Sequence, residues 1–120
     1  MYTYKAQCTR VIDGDTAEFD VDLGFNVHHI IRGRFYGLNA PEIFRGDDEE
    51  KRKGHLVKEF VEDLILNKEV VVETHKDKMS FNRWIVHVFI EGKDAVELIK
   101  EYMEHMENNN TYKLYTESTK

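Results

Sequence analysis

The sequence predicts a mainly β domain with two helices, its five strands bent into a small closed barrel. Three observations lead there. Alternating stretches near the N-terminus follow one another as three strands of a meander. Gly33 and Gly37 lie inside the third stretch, where a closing sheet needs bulges or a sharp bend. A helical stripe then separates the meander from two further β-rich runs. A chain of 120 residues with 41% hydrophobic and 33% charged residues suits one domain with one core, without disulfides or a structural metal.

In the first stretch, residues 4–12, Tyr4, Ala6, Cys8 and Ile12 follow a loose period of two with Val11 out of phase. Asp13-Gly14-Asp15 is a turn, since glycine between two aspartates permits a tight reversal. The next strand alternates cleanly, with Ala17, Phe19, Val21 and Leu23 on one face and Glu18, Asp20 and Asp22 on the other. Gly24-Phe25-Asn26 turns the chain into a third strand running from Val27 through Leu38. The stretch 43–53 reads either as a loop or as the charged first turns of a helix. Asp47 and Glu50 have capping-box spacing, whereas Gly54 disfavours so early a start. From Gly54 onward Leu56, Val57, Phe60, Val61, Leu64 and Ile65 form a helical stripe ending near Asn67.

Val70-Val71-Val72 is a buried strand, and Trp84 to Ile90 is the fifth, closed by Gly92. Asp94 caps a second helix, with Glu97 completing the capping box. Ala95, Leu98, Ile99, Tyr102, Met103 and Met106 follow at helical spacing, the methionines as core filling. Glu107 to Asn110 ends this helix, and Thr111–Lys120 has no pattern. Residues 1–107 thus form the domain and 108–120 a polar tail. The order β-β-β-α-β-β-α suggests a five-stranded oligonucleotide-binding barrel, the OB-fold.

The single cysteine, Cys8, has no partner for an internal bridge or a thiolate metal site and reads as a half-buried strand residue. The start of the sequence lacks a signal-peptide pattern and no run has membrane-span length, so a cytoplasmic location is expected. A net charge of −6 argues against a generic nucleic-acid coat protein but suits an enzyme with a local positive cleft and a bound cation. His28-His29 on a strand would direct one ring in and one out. His55, His75, His87 and His105 show no metal spacing.

The densest chemistry lies in Arg34-Phe35-Tyr36-Gly37-Leu38-Asn39-Ala40-Pro41-Glu42. Pro41, the only proline, lacks an N–H and stops the strand near Ala40, leaving Asn39, the Ala40 carbonyl and Glu42 at its lip. Arg34 inside an apolar run reads either as an ordinary surface residue or as a holder of an anion. Asp15, following its glycine turn, is either plain turn chemistry or, with Asn39 and the Ala40 carbonyl, an oxygen-only ligand set for a hard cation such as calcium. Arg83, after Asn82, is either a solvated arginine or a second guanidinium at a strand edge. Together these residues match what phosphodiester displacement requires. Two guanidinium groups and a cation hold the charge developing on the phosphate, and a carboxylate positions or deprotonates the attacking water.

With these parts in place the chain resembles the staphylococcal nuclease (thermonuclease-like) family. Ile12-Asp13-Gly14-Asp15-Thr16 is similar to that family's first active-site segment, and Arg34 through Glu42 to its arginine-to-Ala-Pro-Glu segment. Phe81-Asn82-Arg83 stands where the family usually has tyrosine, glycine and arginine, and Gly54 and Phe60 match its first helix. The resemblance implies calcium-dependent hydrolysis of DNA and RNA to 3′-phosphate ends. Glu42 would be the general base or water-orienting group, and Arg34 and Arg83 would bind the scissile phosphate. Asp15, Asn39 and the Ala40 carbonyl would hold calcium. Asn39 replaces the family's second metal aspartate, which implies weaker affinity or another ion. Phe81 replaces a phosphate-contacting tyrosine, and the third helix of the long members is missing. Tyr112 or Tyr115 would supply a stacking ring to a base. The function expected is a metal-dependent nuclease acting on single-stranded DNA or RNA. The alternative is a non-catalytic barrel that binds nucleic acid or a protein partner.

Overall fold

The computed structural model describes residues 2–41, 43, 46–76 and 83–109. The strands are β1 (Tyr2–Asp13), β2 (Thr16–Asp22), β3 (His28–Phe35), β4 (Glu69–Lys76), β5 (Arg83–Ile90) and a two-residue β6 (Lys93–Asp94). The helices are α1 (Asp48–Ile65), between β3 and β4, and α2 (Ala95–Asn109), after β6. The sheet order is β3-β2-β1-β4-β5-β6, and β3 also pairs with β5. That last pairing is parallel, from Arg32 opposite Arg83 to Phe35 opposite Val86, while every other ladder is antiparallel. Five strands therefore close into a mixed barrel with two helices, as the order of elements predicted. Closure removes the edges that an open sheet of this size would leave for aggregation.

Inward-facing Ala6, Cys8, Val11, Ala17, Phe19, Val21, Phe35, Val72, Val86 and Val88 form the core. The phase of Val11 has a direct cause. The β1–β2 register slips between Cys8 and Arg10, so a bulge at Thr9 shifts the inward positions by one residue. The bulges expected at Gly33 are instead in β1, because the β2–β3 ladder runs unbroken from Thr16–Arg34 to Asp22–His28. Gly33 supplies space: a Cβ there would lie 2.8 Å from Val86 Cγ2 and 3.2 Å from Phe19 Cε2. β3 also ends at Phe35 rather than near Ala40. Gly37 takes φ +74° in the turn that follows, a left-handed conformation that no strand continues through.

α1 begins at Asp48, the earlier of the two starts open to the sequence. Asp47 Oδ1 accepts the Glu50 N–H at 2.8 Å, and Asp48, Glu49 and Glu50 place negative charge at the positive end of the helix dipole. Gly54 costs such a helix about 1 kcal/mol relative to alanine, but it is buried on the face that Val57, Val61 and Ile65 turn to the barrel. α2 is capped by Asp94, whose Oδ1 accepts from the Val96 N–H at 2.9 Å and the Glu97 N–H at 3.4 Å. Phe60 stacks on Tyr102 at 4.3 Å and Lys53 meets Glu107 at 3.0 Å, joining the helices. Both histidines of β3 are exposed, where one ring was expected to face in: His28 pairs with Asp20 on the outer face, and His29 borders an open apolar pocket with Val21, Ile31 and Trp84. Among the described residues no helix is long and apolar enough to cross a membrane.

Cys8 is fully buried rather than half-buried, and burial pushes its thiol up to about 11 from 9.0. Two outcomes follow from this packing. Gly33→Ala should lower unfolding free energy in urea by about 1–3 kcal/mol, the usual cost of overpacking, with Val86 forced from its place. Native protein should leave Cys8 unlabelled by a thiol reagent at pH 8 and react on unfolding. The Cys8 contribution to stability should be complete below pH 9, where both states hold the proton. It should decline between pH 9 and about 11, where only the unfolded chain releases it. Thermal melts of the wild type against Cys8→Ala across that range measure the difference.

Candidate functional site

The β1–β2 turn builds the site from its backbone outward. Asp13 Oδ1 accepts the Asp15 N–H at 3.0 Å, the Asx turn that short carboxylates favour. Gly14 between them is buried, and a Cβ there would lie 2.6 Å from Ala40 Cβ and 2.7 Å from Val57 Cγ1. Its lack of a side chain lets the segment after β3 and helix α1 close onto the turn.

Asp15 is thereby placed among several groups at once. Its Oδ2 accepts the Ala40 N–H at 3.2 Å, its Oδ1 accepts the Thr16 hydroxyl at 3.1 Å, and its backbone carbonyl accepts the Phe35 N–H at 2.8 Å. Arg34 completes the cluster. Its Nη2 donates to Asn39 Oδ1 at 2.7 Å and lies 3.9 Å from Asp15 Oδ2. The Asp15 side chain is 16% exposed and that of Arg34 32%, so the carboxylate is the inner member and the guanidinium the outer.

Arg83 opens β5 on the same outward face. It stands opposite Arg32, and Arg34 stands opposite Ile85 one step along. Side chains in register share a face of the sheet, so Arg34 and Arg83 are diagonal neighbours on it, close enough for two long side chains to reach one group. Arg32 joins them and lies 3.7 Å from Glu18 across the β2–β3 ladder. A chain of net charge −6 thus carries three guanidinium groups on one small patch. Arg32 was not singled out in the sequence, although its spacing of two from Arg34 places both on one face of any strand.

Two of the three proposed cation ligands lie at this cluster: Asp15 Oδ2 and Asn39 Oδ1 both face Arg34 Nη2, so the guanidinium holds the position between them. Oxygen donors of this kind suit calcium, with water completing its coordination. One carboxylate supplies little charge, and the Arg34 guanidinium competes for both oxygens. Among the described residues no group of three or more His, Cys, Asp and Glu side chains is placed to hold a metal. Glu42, Phe81, Tyr112 and Tyr115, like Asn82, lie outside the described residues.

No family model matches the chain, and no curated protein matches it significantly.

Asn39→Asp adds a second carboxylate to the convergent pair. Titration calorimetry with calcium should show affinity raised several-fold over the wild type. Unchanged or lower affinity would show that Asn39 is not a ligand.

Proposed function

We propose that this chain is a metal-dependent nuclease that hydrolyses phosphodiester bonds in single-stranded DNA or RNA. The observation that carries the reading is the placement of Arg34, held by Asn39 and Asp15, on the same outward face as Arg83. Two guanidinium groups at that spacing can take one phosphate between them, each offering paired N–H donors. As water adds to phosphorus, charge grows on the equatorial oxygens, and donors already in position stabilise it without reorganising. Asn39 holds the Arg34 guanidinium in place before substrate arrives, so less rotamer freedom is lost on binding.

Asp15, Asn39 and the Ala40 carbonyl would hold the cation, the two lone pairs of the Asn39 amide oxygen being shared between it and Arg34, and when bound it would add Lewis-acid stabilisation of the phosphoryl oxygens. Glu42 would orient the attacking water and take its proton. Water forms the new P–O bond, the P–O5′ bond breaks, and the 5′-hydroxyl leaves with a proton from solvent, giving the 3′-phosphate end expected from the family resemblance.

One observation favours a second reading, a non-catalytic barrel that binds nucleic acid or a protein partner. Asn39 leaves a single negative charge between the two convergent side chains, and its amide oxygen is already engaged by Arg34.

Cleavage of end-labelled single-stranded DNA separates the two. Calcium should support cleavage, while chelator or Glu42→Gln should abolish it. Arg34→Ala and Arg83→Ala should each lower the rate by about 10²–10³, the usual cost of removing one transition-state donor. Binding without cleavage in millimolar calcium, magnesium and manganese would establish the second reading instead.

A further inference from the structure

Two residues beyond Arg34, Tyr36 leaves the barrel wall with 58% of its surface exposed. It has a fixed place nonetheless. Its N–H donates to the Val86 carbonyl at 2.9 Å, and its ring stacks on His87, centroids 4.6 Å apart and planes 28° from parallel. His75 meets His87 edge-on at 5.7 Å and 64°. His87 is on β5 and His75 on the neighbouring β4, opposite Ile85, which itself stands opposite Arg34. A tyrosine ring is thus held against a two-histidine support on the same outer surface as the arginines. None of the three rings belongs to the core.

We propose that Tyr36, supported by His87, is a stacking platform for an unpaired base of single-stranded nucleic acid, next to the arginines that take its backbone. The proposal rests on the nucleic-acid reading above and adds a subsite to it. Every base offers a π-face, so a supported aromatic ring beside a cationic track binds single strands with little sequence preference. The charges around the platform define which part of the strand lands where. Glu73 stands opposite His87 in the β4–β5 ladder; on β2, Glu18 is paired with Arg32 and Asp20 lies one step further, opposite Ile30. Phosphate is disfavoured beside Glu73 and Asp20 and favoured towards Arg34 and Arg83, which leaves the neutral base for the rings. A duplex keeps its base faces stacked on one another and cannot use such a platform.

The test is fluorescence anisotropy in chelator, so that no cleavage intervenes. The probes are a labelled oligothymidylate and an abasic deoxyribose-phosphate oligomer of equal length. The wild type should bind the base-bearing strand about tenfold more tightly than the abasic one. Tyr36→Ala should remove that preference while leaving abasic binding unchanged. His87→Ala should reduce it, and Tyr36→Trp should preserve it. A circular dichroism melt of each variant verifies the fold. The platform is overturned if the wild type binds both probes equally or neither, if Tyr36→Ala keeps the preference, or if it weakens both probes alike. Cleavage assays keep this result apart from the nuclease reading. A base preference lost in Tyr36→Ala, with no cleavage in any metal, upholds the platform and removes the nuclease. Cleavage with the preference intact in Tyr36→Ala does the reverse.

Discussion

The parallel pairing of β3 with β5 is the constraint on which the rest of this molecule depends. It turns an otherwise antiparallel sheet into a closed wall, and its register decides which residues become neighbours. Arg32 opposite Arg83 and Arg34 opposite Ile85 bring together guanidinium groups about fifty residues apart in the chain. The same contact needs Gly33 to be glycine, since Val86 occupies the space where a side chain would go. Closure of the core and assembly of the cationic patch are thus one packing event. A long-range parallel contact closes a large loop, so its entropic cost must be met by the apolar residues around it. Phe19, Phe35 and Val86 at that seam are fully buried.

Asp15 is the second constraint, and it acts locally. Its backbone carbonyl secures Phe35, its carboxylate secures Ala40 and Thr16, and the remaining field reaches Arg34. A single short side chain therefore joins the β1–β2 turn to the end of β3. Partly desolvated carboxylates need several favourable partners, and here the Ala40 N–H and the Thr16 hydroxyl donate while the Arg34 guanidinium adds its charge from 3.9 Å. The arrangement explains how an acidic chain keeps a cationic patch. Arg34 has Asp15 behind it and Arg32 has Glu18 beside it, so the arginines are tolerated together while their outer sides face solvent.

Much of the architecture was legible because local signals agreed with one another. β2 from Ala17 to Val21 and the capped helix α2 stand where pattern and capping residues placed them, while α1 takes the earlier of two starts the sequence left open and Leu23 lies exposed beyond β2. The exceptions are informative. Val11 broke the period because of a bulge, a feature of two paired strands that one strand cannot announce. Gly33 in the sequence suggests a bulge or a sharp bend because glycine permits either, whereas its use depends on a valine fifty-three residues away. β3 stops earlier than Pro41 suggests because the glycine at 37 turns the chain first. Arg34, Asp15 and Asn39 do meet, as their residue types suggested, but with the guanidinium on the amide oxygen proposed for a cation. Tyr36, His75 and His87 carried no signal at all, since a ring cluster spread over two strands and the turn after a third has no spacing in sequence.

By itself the sequence determined the order of elements, most of the apolar faces and the presence of oxygen and guanidinium groups at the ends of the first strands. Those properties depend on periodicity, turn chemistry and residue type, all of which act within a few residues. Tertiary structure alone decided which arginines stand side by side, what Asp15 and Asn39 hold, and that three rings gather next to them. Those properties depend on strand register, and register is a relation between segments that becomes definite only when the barrel closes.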